Sequence, residues 1–264
     1  MGARSGGAPM NARLLRMATL PVALIALWEA LGRALGGPRT PLPSKVAGEA
    51  ALLIMSGDLP AALAQSLGRV FSGFAIAAAI AIPLGIAMGR LRAVERNLDP
   101  VIESFRPVAA IAMLPLAILW LGAGSGAAVM LVAYAAFFPI LIHAVAGAKG
   151  VDANLARAAA TMGVSGATLA RSVIMPAAMP QIAVGLRIGL AVAWTAIVAA
   201  ELAVGAKAGG GASGGVGQMM FAYYAYSIEL NRIIVCMIAV GLVSLALDRL
   251  MRFALARAMP WIET

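Results

Sequence analysis

Apolar residues fill this chain in long blocks separated by short polar or glycine-rich stretches. The blocks at 17–36, 66–89, 105–121, 127–147, 182–204 and 232–251 each read as a helix able to cross a bilayer. The block at 105–121 is the shortest and has the softest edges. The pattern predicts an all-α, polytopic membrane protein with about six transmembrane helices. A tail over 1–16 leads into a single membrane domain over 17–264.

Composition fixes this class independently. With 62% hydrophobic and 12% charged residues, and a mean hydropathy of +0.94, a soluble domain of this length would expose far too much apolar surface. At about 20 residues per crossing the ceiling is near ten spans, and realistic loops reduce it to five or six.

The net charge of +9 changes the picture only through its distribution. Lys and Arg lie between apolar runs and are not interleaved with aromatics, so they read as a topology signal and not as a nucleic-acid surface. Arg4, Arg13 and Arg16 precede the first block, and Arg90, Arg92 and Arg96 follow the second. Lys149, Arg157 and Arg171 follow the fourth, and Arg249, Arg252 and Arg257 lie toward the end of the chain. Basic residues thus recur on one side of an even-span topology, which predicts both termini in the cytoplasm. The opposite loops carry Arg33, Arg39, Lys45, Arg69, Lys207 and Arg232, so the asymmetry is imperfect. The basic start before ATLPVALIALW also resembles a signal peptide. Glu29 and Arg33 follow the apolar stretch and no clear A-x-A site precedes the next polar segment, which favours an uncleaved first span.

The outer connection over 37–65 opens with GGPRTPLPS, where prolines discourage helix, and continues as KVAGEAALLIMSG, a short surface helix. The other long outer connection, 205–231, contains GAKAGGGASGGVGQ. It reads as a flexible linker, because G-x-x-x-x-G-K-[ST] is absent. Cys236, the one cysteine, lies in an apolar run; no intrachain disulfide or thiolate zinc cluster is possible.

The segment 148–181 must leave the bilayer, since Lys149, Asp152, Asn154, Arg157 and Arg171 would each be costly in hydrocarbon. Helix formers fill 153–162, Gly163 permits a tight turn, and 167–174 forms a second short helix halted near Pro176. The prediction is helix, turn, helix along the membrane face. Its small residues let a partner backbone approach closely, although an amphipathic loop resting on lipid headgroups fits the same pattern.

Polar residues inside the spans are the default functional candidates: His143, Thr195, Glu201 and Arg187. His143 has no second His or Cys for a metal site and reads as a hydrogen-bonded packing residue or a ligand contact. Glu201, toward an outer end, is an outer gate, a contact with a partner protein, or simply solvated. Arg187 or Arg106 supplies positive potential to an anion, or snorkels to headgroups. The pairs Gly85/Gly89 and Gly185/Gly189 permit tight helix contact, either as plain packing or as a moving interface. No hydrolytic triad pattern or H-E-x-x-H occurs, so no catalytic residue is expected.

Arg157-Ala158-Ala159, then Met162-Gly163, then Val173-Ile174-Met175-Pro176 resembles the E-A-A-x-x-x-G…I-x-L-P loop of ATP-binding-cassette importer permeases. From Pro43 onward, blocks such as SLGRVFSGFAIAAAIAIPLGIAMG and LRIGLAVAWTAIVAAEL are similar to the branch that imports nitrate, sulfonate, taurine and related small solutes. The resemblance implies a non-catalytic permease subunit whose loop 148–181 docks a separate ATPase, with Arg157, Ala158, Ala159, Met162, Gly163, Val173, Met175 and Pro176 in the contact. It further implies a second permease copy, an ATPase dimer carrying ATP and Mg, and an extracytoplasmic solute-binding protein. Arg157 reverses the family's acidic charge, which implies an acidic partner on the ATPase or a side chain turned to solvent or lipid phosphate. The competing reading is a secondary transporter driven by an ion gradient, which would place ionisable residues or broken helices at mid-membrane.

Overall fold

The computed structural model describes residues 10–37, 40–205 and 214–259, with the side chains of 10–18, 156 and 167 excepted. The chain is α-helical, with no strand among the described residues. Arg4, Arg39, Lys207 and the core of the glycine-rich tract, 206–213, lie outside the described residues.

The order is α1 (Met10–Leu35), α2 (Pro43–Met55), α3 (Asp58–Arg90), α4 (Arg92–Phe105), α5 (Leu114–Leu121), α6 (Ser125–Lys149), α7 (Ala153–Thr161), α8 (Gly166–Leu169), α9 (Met175–Val204), α10 (Val216–Ala222) and α11 (Leu230–Ala258). A 3-10 turn precedes α5, and single π turns join α8 to α9 and follow α10. Among the described residues α3, α6, 170–204 and α11 are long and apolar enough to cross a membrane. The pair 92–105 and 110–121, bent by 89°, passes the same test only when taken together, as a broken span or a re-entrant loop. The expected count of six would then rest on α1, whose 26 residues span roughly 39 Å.

Three helices form the core. Val70, Ala77 and Ala81 of α3, Val132, Ala136 and Ile140 of α6, and Ala193, Trp194 and Ile197 of α9 are buried together. Glycines set the spacing. A Cβ on Gly85 or Gly89 would stand 2.5 or 2.6 Å from the Cβ of Ala144 or Ala148, and one on Gly185 2.6 Å from that of His143. Both glycine pairs therefore seat their helices on α6. The matches of Gly73 with Val132, Gly85 with Ala144 and Gly89 with Ala148 rise together along both chains, so α3 and α6 are parallel. Parallel neighbours require the intervening chain to return across the bilayer.

That return differs from the single helix expected over 105–121. Pro107 lacks an amide hydrogen and its ring excludes the carbonyl four residues back, so α4 ends at Phe105 and the path resumes as a 3-10 turn from Ala110. Charged α4 has no buried residue and rests on the core only through Val94, Leu98 and Ile102, and its Glu95 pairs with Lys149 at the end of α6. The crossing falls to residues 106–121, where turn and helix supply roughly 20 Å and the extended linker the rest.

A second difference concerns Pro176, expected to halt a short helix. Instead, α8, the π turn Ala170–Ile174 and α9 run on without a break. The wider π turn lets Met175 N–H donate to Ala170 O, and Pro176 falls in the first turn of α9, where no amide hydrogen is needed. Helix α9 thus begins seven residues before the expected start at 182. Arg69, counted with the outer loops by sequence, sits inside α3.

Candidate functional site

Residues 150–176 make a knob at the junction of α6 and α9. Asp152 caps α7, its carboxylate accepting from Asn154 N–H at 2.8 Å. The helix closes where Gly163 takes φ +80°, and Gly163 and Val164 donate to Ala160 O and Ala159 O at 3.0 and 3.1 Å. Only a residue without Cβ enters that conformation at little cost. Gly166, at φ +57°, turns the chain again into α8. The bend presents Met162, 82% exposed, with Leu155, Arg157 and Ala158 also exposed, while Ala159 is buried. On the returning helical segment of the knob Ile174 is buried, Val173 and Met175 are half-buried and Pro176 is exposed. Arg157 has no ion pair among the described residues. Ile174 packs with Ala144, Ala148, Ala178 and Ile182, so the knob is fixed to the end of α6 and the start of α9.

The four polar candidates separate into two environments. His143 and Arg106 line one groove of about 430 Å³, with Tyr134, Phe138, Ile188 and Val192. Tyr134 donates to Phe105 O at 2.8 Å, which holds the groove's edge against the end of α4. His143 Nδ1 lies 3.1 Å from the Gln181 amide nitrogen. Thr195 lies a turn beyond Val192 on the same exposed stripe of α9, its hydroxyl turned back to Val192 O at 2.9 Å.

Arg187 and Glu201 are engaged elsewhere. Arg187 Nε donates to Asp248 of α11 at 2.6 Å, and Arg252 donates to the other oxygen of the same carboxylate at 2.9 Å. Glu201 is 1% exposed. Arg69 Nη1 donates to it at 2.7 Å, Ser66 Oγ at 2.8 Å and Gly217 N–H at 3.0 Å. Ser66 Oγ in turn accepts from Val216 N–H at 2.9 Å. The carboxylate therefore ties α3, α9 and the short helix α10 into one cluster. A buried charge is tolerable only when paired and hydrogen-bonded in this way. A Cβ on Gly217 would stand 2.7 Å from that of Glu201, so the cluster also needs glycine there.

Sequence reasoning missed Ser66, Arg69, Asp248, Tyr134 and Gln181. The two charged residues could have been sought, since Arg69 and Asp248 are ionisable residues inside apolar runs. Nothing local marks Ser66, whose partner is 135 positions away.

The fold and site define an α-helical membrane subunit with a protruding loop at the junction of two core helices. Residues 81–259 match the family of binding-protein-dependent transport system inner membrane components, and the chain belongs to that family. It is similar to the taurine transport system permease protein TauC of Escherichia coli, 36% identical over 94% of this chain and 89% of the relative. The nitrate import permease protein NrtB of Synechocystis is 31% identical over 94% of this chain and 90% of its own. The bicarbonate transport system permease protein CmpB of Synechococcus elongatus is 35% identical over 70% and 64%. This chain is a permease subunit of an ATP-binding-cassette importer, and a secondary transporter is not favoured.

Proposed function

We propose that this subunit translocates a small solute, of the nitrate, sulfonate, taurine or bicarbonate kind, handed over by an extracytoplasmic binding protein. Two copies form the pathway. Hydrolysis of ATP with Mg resides on a separate ATPase pair that grips the Gly163 knob on the cytoplasmic side, where both chain termini also lie. The observation that carries this reading is the exposed bend at Met162 and Gly163, fixed through Ile174 to the two helices that dominate the core. A pull on the knob then tilts α6 and α9 together, and with them the groove of His143 and Arg106. A groove of this size suits a small solute, and Arg106 and the aromatic edge favour an anion with some apolar surface.

The reversed charge at Arg157 fits the same scheme. An exposed guanidinium without an ion-pair partner among the described residues is available to a carboxylate on the ATPase. Co-expression with the cognate ATPase is expected to yield a stable complex whose ATP hydrolysis rises with loaded binding protein. Arg157→Glu should lower that stimulated rate about tenfold, the effect of losing one charge-assisted contact. An unchanged rate would remove Arg157 from the interface, and solute uptake by this chain alone on an ion gradient would overturn the scheme.

A further inference from the structure

A second cleft lies on the loop side of the molecule, between the inner end of α3 and the stretch that leads into α9. It holds about 750 Å³. Ile82, Pro83, Ile86 and Ala87 form one wall, and Leu169 and Ile174 stand on the other. Arg90 and Arg171 also line it, and they fall toward the same end because Gly89 meets Ala148 and Ile174 packs with Ala148; both are exposed and neither has a partner among the described residues. From Ile82 to Arg90 the wall rises roughly 12 Å at 1.5 Å per residue. The cleft is therefore apolar along its length and doubly cationic at its mouth.

We propose that this cleft binds an anionic phospholipid of the inner leaflet, one acyl chain along Ile82 and Ile86 and the phosphate between Arg90 and Arg171. Three features select this occupant. The apolar wall belongs to a membrane-crossing helix, so its inner part lies at a depth that a cytoplasmic ATPase does not reach. Two guanidiniums without carboxylate partners at headgroup level match one phosphate, each contributing to a negatively charged surface interaction. Apolar walls of this length match an acyl chain and not a free anion. Because the second wall includes Gly166, Leu169 and Met175, the lipid would brace the knob against α3 and so bias the coupling path. The inference rests on the cytoplasmic placement of the knob in the reading above.

The test is native mass spectrometry of the full-length permease, purified with and without its ATPase from vesicles containing equal phosphatidylcholine and phosphatidylglycerol. Phosphatidylglycerol is expected to stay bound to the wild type. The Arg90→Gln/Arg171→Gln pair should lose its preference by about tenfold or more, and Arg90→Lys/Arg171→Lys should keep most of it. Ala87→Trp, which fills the cleft and leaves both arginines, should abolish retention. Equal retention of both lipids, retention unaffected by either change, or displacement by soluble glycerol phosphate would each overturn the proposal; the last would mark a free-phosphate site. So would a cysteine at position 87 that crosslinks fully to the second copy or to the ATPase. Lipid retention is read on the permease itself, so failure to assemble with an ATPase would refute the transport scheme and leave this result standing.

Discussion

At the scale of single residues, Glu201 is the most demanding position. Its carboxylate is buried at the end of α9 farthest from the knob and takes donors from α3 and α10, so the charge is offset by one guanidinium, one hydroxyl and one backbone amide. Truncation would leave Arg69 inside without its counter-charge, at a cost of about 3–5 kcal/mol. Glu201→Ala should lower the thermal midpoint of the detergent-purified complex sharply, whereas Glu201→Leu with Arg69→Met should recover much of the loss. If the single and double variants melt alike, the pair is not coupled. The polar candidates therefore do different work. His143 lines an open groove and Thr195 lies beyond it on the same exposed stripe of α9, while Arg187 and Glu201 join helices to each other.

At the scale of elements, the knob is shaped by its bend. Gly163 holds φ +80°, a conformation that costs a side-chain-bearing residue about 1–2 kcal/mol. Gly163→Val should leave the permease folded, since a Cβ there meets no neighbour, yet reorient Met162 and lower binding-protein-stimulated ATP hydrolysis at least tenfold. Undiminished stimulation would show that the bend does not transmit the stroke. Much at this scale was legible in the sequence: the long apolar blocks mark α3, α6, α9 and α11, and Gly163 marks the turn, because both signals are local. What escaped reading depends on context. Pro176 looks like a helix stop until a π turn supplies the missing register, and the block at 105–121 looks continuous until Pro107 divides it. Arg69 reads as a loop cation because its partner, 132 positions away, is supplied by tertiary structure.

At the scale of the whole molecule, the packing divides the chain into a tight core and a loose periphery. Helices α3, α6 and α9 approach through glycines and alanines, while α11 leaves Met237, Ile238, Leu242 and Phe253 exposed along its length. Close-packed interfaces move as units, because interdigitated side chains transmit displacement and do not absorb it. A pull on the knob should consequently reach the exposed stripe of α9 that carries Ile188 and Thr195, and leave the outward stripe of α11 in lipid. With Cys236→Ser as background, a single cysteine at Thr195 should react with a membrane-impermeant maleimide added outside when a non-hydrolysable ATP analogue is bound, and resist it without nucleotide. A cysteine at Leu242 should resist in both conditions. Equal labelling at position 195 with and without nucleotide would mean that this stripe does not line the alternating pathway, because a ligand shifts access only by preferring one state. Parallel packing of α3 and α6 adds a constraint on sidedness. A cysteine at Met162 and one at Arg90 must label from the same face of the membrane, and one at Asp58 from the other.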